Sequence, residues 1–290
     1  MCGRLACTLC PEELRKACAY PKQRKENKCD YVEPTYIENA YQYVPLYNLC
    51  PSGVVPILAD KSHFPEASDC SDFIILPMRW GMLPRWNAEK SAYHTHNTRI
   101  EGAMQSNFFK PEFLKNRRCV VLCDGYFEWQ TTRADKQPYY IYQEKIKDDC
   151  PDDKMDWMGK PLLKLAGIFS SKIDSEGITR YSCSIITKDS DKRLSWLHDR
   201  MPIMLETFDD VENWINCEKL NCDESFKFIS TYEESKPEEK KQKYALKYHP
   251  VDKKFVNDSS CKSEKCIERV NVKRQNTLDS WFCKRPATSK

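Results

Sequence analysis

Cys2 is the residue whose chemistry is hardest to ascribe to packing. It follows Met1 and precedes Gly3 and Arg4. Removal of Met1 would leave Cys2 with a free α-amine and a thiol on adjacent carbons, a 1,2-aminothiol. The amine of such a pair condenses with an aldehyde to a Schiff base, and the thiol can then close a five-membered thiazolidine ring. Unperturbed, the two groups titrate at about 8 and about 8.5. A modest change of surroundings therefore decides which is nucleophilic near neutrality. A Cys in second position is by itself more often accidental than catalytic, so the case depends on what the rest of the chain brings to it.

Several stretches could assist. Asp124-Gly125-Tyr126-Phe127-Glu128-Trp129 sets one carboxylate among three aromatic residues. A carboxyl group in an apolar pocket is suited to proton transfer, although most such residues are edge-exposed or paired. Leu197-His198-Asp199-Arg200-Met201-Pro202 places an imidazole between an apolar run and a charged pair. A histidine there is usually structural, but its neighbours make it a candidate proton carrier. Pro77–Trp86 mixes Arg79, Trp80, Arg85 and Trp86 between prolines. Arginines hold phosphates and aromatic faces stack bases, yet the tryptophans serve a core equally well, and composition leaves the two readings even.

The elements that must position these groups are mostly short strands. Val54–Leu58, Phe73–Leu76, Cys119–Cys123, Pro138–Tyr142, Leu162–Phe169 and Tyr181–Thr187 carry apolar or alternating strand patterns. The last two are joined around Ser175-Glu176-Gly177, and Tyr248–Val251 is expected to close a sheet. Helices are expected over Pro11–Tyr20, Phe108–Leu114 and Phe208–Cys217, the last with Val211, Trp214 and Ile215 on one face. Residues 21–43 read as irregular. The two prolines of Pro45–Pro51 predict a rigid extended loop. The pattern is that of an α+β class, β-rich single domain with short flanking helices.

Composition narrows the function. At 290 residues the chain buries a sizeable core, and the formal charge of +3 is near balance. A nucleic-acid site on the body must therefore be a local arginine-lined patch. Sixteen cysteines accompany no basic region followed by an apolar leader. A reducing intracellular compartment with free thiols is expected, and no run reaches the length of a membrane span. Cys7-x-x-Cys10 is half of a zinc pattern, but Cys217/Cys222 and Cys261/Cys266 do not complete it. No metal or other cofactor is expected.

Residues 262–290 hold eight Lys/Arg against three Asp/Glu and lack a core-forming pattern, predicting a disordered basic tail after a domain spanning 2–261. Within it, Gln275-x-x-Leu278-x-x-Trp281-Phe282 resembles the PIP box that docks on the sliding clamp, proliferating cell nuclear antigen. One helical turn would bring Leu278, Trp281 and Phe282 to one face, with Gln275 as a polar anchor. Docking there implies the nucleus, at replication forks.

Five separated motifs occur in order: Cys2-Gly3-Arg4, Arg79-Trp80-Gly81, Asn97-Thr98-Arg99, Asp124–Trp129 and His198–Pro202. Together with Tyr47-Asn48-Leu49-Cys50-Pro51 they resemble the SRAP family, named for SOS response-associated peptidase, over roughly residues 2–260. The resemblance implies a barrel-like fold, a monomer, and covalent capture of abasic sites in single-stranded DNA by Cys2. It further implies that Asn97, Glu128 and His198 complete the active site. Arg4, Arg99 and Arg200 would hold phosphates, and Trp80 and Pro51 would shape the DNA bend. Asn48, Arg79 and Arg118 are assigned to the same DNA surface. The family's usual Asn-Ala-Arg-Ser-Glu-Thr run reads Asn97-Thr98-Arg99-Ile100-Glu101-Gly102 here. Lyase chemistry from a persistent Schiff base, a thiol (auto)peptidase using Cys2, and a non-covalent reader of 5-hydroxymethylcytosine are the alternatives.

Overall fold

The structure is a computed structural model that describes residues 2–25, 28–84, 95–133, 135–145, 157–232 and 244–271. Its elements run β1 (Arg4–Cys7), α1 (Pro11–Ala17), β2 (Tyr20–Lys25), β3 (Lys28–Val32), β4 (Thr35–Tyr36), β5 (Leu46–Leu49), β6 (Val54–Asp60) and β7 (Phe73–Trp80). They continue with β8 (Asn97–Arg99), α2 (Ile100–Ala103), α3 (Lys110–Leu114), β9 (Arg118–Cys123), β10 (Gly125–Thr131), β11 (Lys136–Lys145), β12 (Leu163–Ile173) and β13 (Thr179–Asp189). The last are β14 (Arg200–Pro202), α4 (Phe208–Ile215), α5 (Cys222–Ser230), β15 (Tyr244–Pro250) and α6 (Lys253–Asn257).

Two sheets hold the molecule together. In the larger, β13-β12-β9-β6-β7 are neighbours in that order, and β7 returns to pair with β13, closing a five-stranded barrel. Closure explains the sequence of β9, Arg-Cys-Val-Val-Leu-Cys, buried at all six positions. A strand with no free edge and both faces covered reads as a continuous apolar run. The second sheet orders β15-β11-β10-β1-β5. One of its faces, carrying Leu5, Tyr126 and Ile141, joins the barrel in the main core. The other, carrying Ala6, Phe127 and Tyr140, is covered by α6 and the segment through Cys266 as a smaller core. Gly125 makes the β10–β11 approach possible: a Cβ there would lie 2.5 Å from the Ile141 carbonyl oxygen and from the Tyr140 ring.

The expected α+β, β-rich, barrel-like class is what the chain adopts, and each helix and strand anticipated in the sequence lies in an observed element of that type, except at the ends. The differences have physical reasons. Pro45–Pro51 contains a strand, β5, because Leu49 pairs with Leu5 and buries its side chain; the prolines bracket the strand without interrupting it. Within the stretch that reads as irregular, β2 and β3 pair antiparallel, Tyr20 opposite Val32. α5 was not anticipated; Asn221 and Glu224 form a reciprocal capping box at its start. The packed chain also continues past 261. Cys266 is fully buried against Val256, and Val270 N–H bonds to Pro250 O, so residues 262–271 belong to the fold. The tail motif, Gln275 through Phe282, lies outside the described residues. No described helix is long and apolar enough to cross a membrane.

Candidate active site

Four chain segments far apart in sequence meet where the two sheets join. Cys2 lies just ahead of β1 and is completely buried. Asn97 opens β8, which pairs in parallel with β13 and places Asn97 opposite Ile185. Asn97 Nδ2 donates a 2.6 Å hydrogen bond to the Cys2 carbonyl oxygen. Its Oδ1 is buried and accepts no hydrogen bond from the described residues. Glu128 projects from β10 on the side that carries Tyr126, and it is 4% exposed. His198 Nε2 stands 3.9 Å from Glu128 Oε1, closing the group.

The imidazole is oriented from both sides. Its Nδ1 lies 2.9 Å from the Arg200 backbone N–H, which can only donate, and 2.7 Å from the Asp199 carboxylate. The Arg200 N–H can only donate and the Asp199 carboxylate can only accept, so the two contacts favour opposite tautomers, while Nε2 faces Glu128 in either. The Asp199 side chain is largely exposed and exerts a screened pull. The Cys2 thiol is pushed well above the ordinary cysteine range, first by burial and then by the Glu128 carboxylate. At neutral pH it is a thiol, not a thiolate.

The loop that carries His198 is internally braced. Leu194 and Ser195 N–H groups bond to Asp191 O, Leu197 and His198 N–H groups bond to Leu194 O, and Ser190 N–H bonds to Asp199 O. Arg200 anchors its end. The guanidinium donates to both carboxylate oxygens of Glu101 at 2.8 and 2.9 Å, to Asp189 Oδ1 and to Thr187 O. Burial works against its charge, but the bonds to Glu101 and Asp189 outweigh that and raise its pKa.

These contacts revise several DNA-surface assignments. Arg200 is committed to two carboxylates and positions the His198 loop instead of meeting a phosphate. Arg118 is 1% exposed beneath α4 and α5 and donates to Trp214 O, Asn116 Oδ1, Ser225 Oγ, Asn216 O and Leu220 O. It is an internal tie between β9 and the helices. Arg4 and Asn48 face the smaller core: Arg4 Nη1 donates to Asn48 Oδ1 and Val256 O, and Asn48 Nδ2 donates to Val256 O and Asp258 O. They pin α6 to the sheet. Trp80 is fully buried, and its indole N–H donates to His96 O at 3.0 Å. It therefore supports the backbone beside Asn97 and is not a surface wedge. The barrel seam explains why: β7 meets β13 at Trp80 and Cys183, and Gly81 turns away at φ 115° while its N–H bonds to Cys183 O.

Pro51 is buried behind β5, whereas Arg99 is exposed and Arg79 half-buried, with Nη2 on Ser52 Oγ. Cys7 is buried against Leu122 O and Cys10 precedes α1, so they do not share a site. No group of three or more His, Cys, Asp or Glu among the described residues is placed to hold a metal. The sequence reading missed Asp189, which joins Glu101 on Arg200. It also missed an aromatic border to the site: Tyr139 sits directly opposite Glu128 on β11, and Trp196 lies two residues before His198. The Tyr139 signal was present in its strand alternation next to the Glu128 strand.

The chain resembles several known proteins. The protein named abasic site processing protein HMCES of Xenopus tropicalis is 35% identical over 279 residues, covering 93% of this chain and 78% of its own length. The protein of the same name in Mus musculus is 35% identical over 289 residues, covering 94% and 77%. Abasic site processing protein YoaM of Bacillus subtilis is 28% identical over 177 residues, covering 60% and 67%. A crystal structure of a Bacteroides thetaiotaomicron protein shares the fold, with a TM-score of 0.57 and 24% identity over 78% of this chain and 86% of that one. The profile of the SOS response associated peptidase (SRAP) family matches residues 1–258, and the chain belongs to that family.

Proposed function

We propose that this protein processes abasic sites in single-stranded DNA by forming a covalent thiazolidine with Cys2 once Met1 has been removed. The observation that carries the reading is the convergence of Cys2, Asn97, Glu128 and His198, with the Cys2 backbone held by Asn97. The names of the relatives support the substrate class.

The chemistry follows from the groups present. The closed sugar of an abasic site opens when a proton leaves its C1′ hydroxyl and another reaches the ring oxygen; Glu128 and His198 are the proton carriers. Freed of Met1, the Cys2 amine attacks C1′, with its residue's backbone held by Asn97 through the Cys2 carbonyl oxygen. The C1′–N bond forms, the C1′ oxygen leaves as water with a proton from Glu128, and a Schiff base results. The thiol then adds to C1′, its proton passing to the former imine nitrogen. Amine, thiol and aldehyde thus give thiazolidine and one water. Burial keeps the thiol protonated, which favours attack by the amine first. The same protonation disfavours the peptidase reading, whose nucleophile is a thiolate. Holding the reacting groups in place supplies the rate, as effective molarity does generally.

A denaturation-resistant DNA–protein species should form with an abasic single-stranded oligonucleotide. It should be lost in Cys2→Ala and in protein whose Met1 is retained behind an added residue. An undiminished adduct in Cys2→Ala would overturn the mechanism.

The tail completes the proposal. Gln275, Leu278, Trp281 and Phe282, flanked by Lys273, Arg274, Lys284 and Arg285, are assigned to sliding-clamp docking, and the protein to the nucleus at replication forks. Titration of full-length protein and of Trp281→Ala against purified clamp tests this; equal affinities would sink it.

A further inference from the structure

Beside the reacting groups lies a cluster of aromatic rings that the proposed chemistry does not use. The Trp196 and Tyr139 ring centres are 5.0 Å apart at 85°, and those of Trp196 and Tyr248 are 4.9 Å apart at 47°. Trp196 is 39% exposed and Tyr248 44%, an unusual degree for such large apolar groups. Trp196 meets Tyr139 edge to face and Tyr248 at a tilt, so the rings brace one another while leaving indole surface open. The Trp196 N–H donates to Arg193 O at 3.0 Å, which fixes the ring on the same hydrogen-bonded loop that carries His198. Lys192 and Arg193 in that loop are exposed, although Arg193 also pairs with Asp191.

Position identifies the occupant. Tyr139 is the cross-strand partner of Glu128, and Tyr248 on β15 is partnered with Ile141 on the same face as Tyr139. Opposed residues in an antiparallel ladder hold their Cβ atoms about 5 Å apart. The Tyr139 ring therefore begins one side chain away from Glu128, and Trp196 and Tyr248 pack on it. An abasic residue offers no base to stack, so any stacking contribution must come from its neighbour in the strand.

We propose that Trp196, with Tyr139 and Tyr248 behind it, is a stacking platform for the unpaired nucleobase next to the lesion. The assignment rests on the reading of the site as one for abasic single-stranded DNA. It requires no base-specific hydrogen bond and so predicts tolerance of any base at that position. Trp196 acts as a binding and positioning residue: it holds the flanking nucleotide, and through it the abasic sugar, against Glu128 and Cys2.

The test is non-covalent, so it reads the platform whether or not Cys2 reacts. Full-length protein is titrated with a single-stranded oligonucleotide carrying one tetrahydrofuran residue, which has no aldehyde. It is then titrated with versions in which the adjacent 5′ or 3′ nucleotide is tetrahydrofuran as well. For the wild-type chain, loss of the neighbouring base on the platform side should weaken binding about 5- to 100-fold. Trp196→Ala should bind the first oligonucleotide more weakly by a similar factor and no longer respond to removal of the neighbour. Trp196→Phe should recover most of that response, and thermal unfolding of both variants checks their fold. Wild-type affinity in Trp196→Ala, or equal weakening toward every oligonucleotide, would overturn the platform. Failure of adduct formation in the wild-type chain would instead overturn the abasic-site mechanism.

Discussion

Asn97 reaches across 95 residues of sequence to hold the Cys2 carbonyl oxygen at 2.6 Å. The bond fixes the backbone of the residue that, in the proposed reaction, presents two nucleophiles to a single carbon.

Removing that bond should therefore cost rate more than stability. In Asn97→Ala, single-turnover adduct formation is expected to slow about 100-fold, the scale of a misplacement near 1 Å. Unfolding free energy should fall by only about 1 kcal/mol, as for one neutral hydrogen bond. Quench-flow kinetics and urea denaturation on the same preparation check both halves. A loss confined to stability would make Asn97 a packing residue.

Arg118 should show the opposite split. Its guanidinium is shared among Trp214 O, Asn116, Ser225, Asn216 O and Leu220 O. Arg118→Ala leaves buried carbonyls unsatisfied and is expected to cost about 3–5 kcal/mol, the range seen when a buried charged network loses a member. Arg118→Lys should recover only part, because an ammonium cannot reproduce the planar fork. Below the unfolding transition, oligonucleotide affinity of the lysine variant should equal that of the wild type. Weakened binding without destabilisation would restore Arg118 to the DNA surface.

Glu101 supplies a pH signature. Burial alone would raise its pKa, but the bonds from Arg200 prevail and hold it below the usual carboxylate value. A depressed folded pKa gives stability that is present above the unfolded value, about 4.3, and lost as pH falls through the folded one. In Glu101→Gln the acid limb of the stability profile below about pH 4.3 should flatten. Adduct formation at neutral pH should also slow as the His198 loop loosens. Superimposable acid limbs for the two proteins would contradict the ion pair.

Cysteine reactivity should rank by surroundings. Burial, and then Glu128, raise the Cys2 thiol, whereas hydrogen bonds from Ser263 lower that of the partly exposed Cys261. Timed iodoacetamide labelling at pH 7.5, read by peptide mass, should modify Cys261 well before Cys2. Cys7, Cys119, Cys123 and Cys183 are raised by burial as well. Raised folded values give stability that is complete below the unfolded thiol value and lost as pH climbs toward the folded ones. Unfolding free energy should decline above about pH 8.5. Early alkylation of Cys2 in folded protein would argue for an open site.

Cys2, Glu128 and His198 drew notice by residue type and Asn97 only through the resemblance to the SRAP family; the structure brings the four together. The strands were legible because closure of the barrel makes them uniformly apolar. What the sequence did not carry was the direction in which a cation points. Arg118, Arg200, Arg4 and Arg99 all stand beside motif residues, yet only Arg99 among them is exposed. The partners that claim the others, such as Val256 O and Glu101, are distant in the chain or ordinary in type. Trp80 was evenly poised between core and surface, and the parallel seam with β13 decided for the core. Residues 262–271 looked like tail because a single buried Cys266 leaves little periodic trace.

The complete burial of Cys2 sets a clock during synthesis. β1 is flanked by β10 and β5, and β10 begins only at Gly125. At about 5–20 residues per second, the ribosome takes roughly 6–25 s to go from the first residues to that strand. If Met1 is to leave, this is the interval in which an aminopeptidase finds the end of the chain unobstructed. On the proposed chemistry, a chain whose Met1 outlasted that interval would keep the Cys2 amine in a peptide bond, and its competence would be decided before its synthesis is finished.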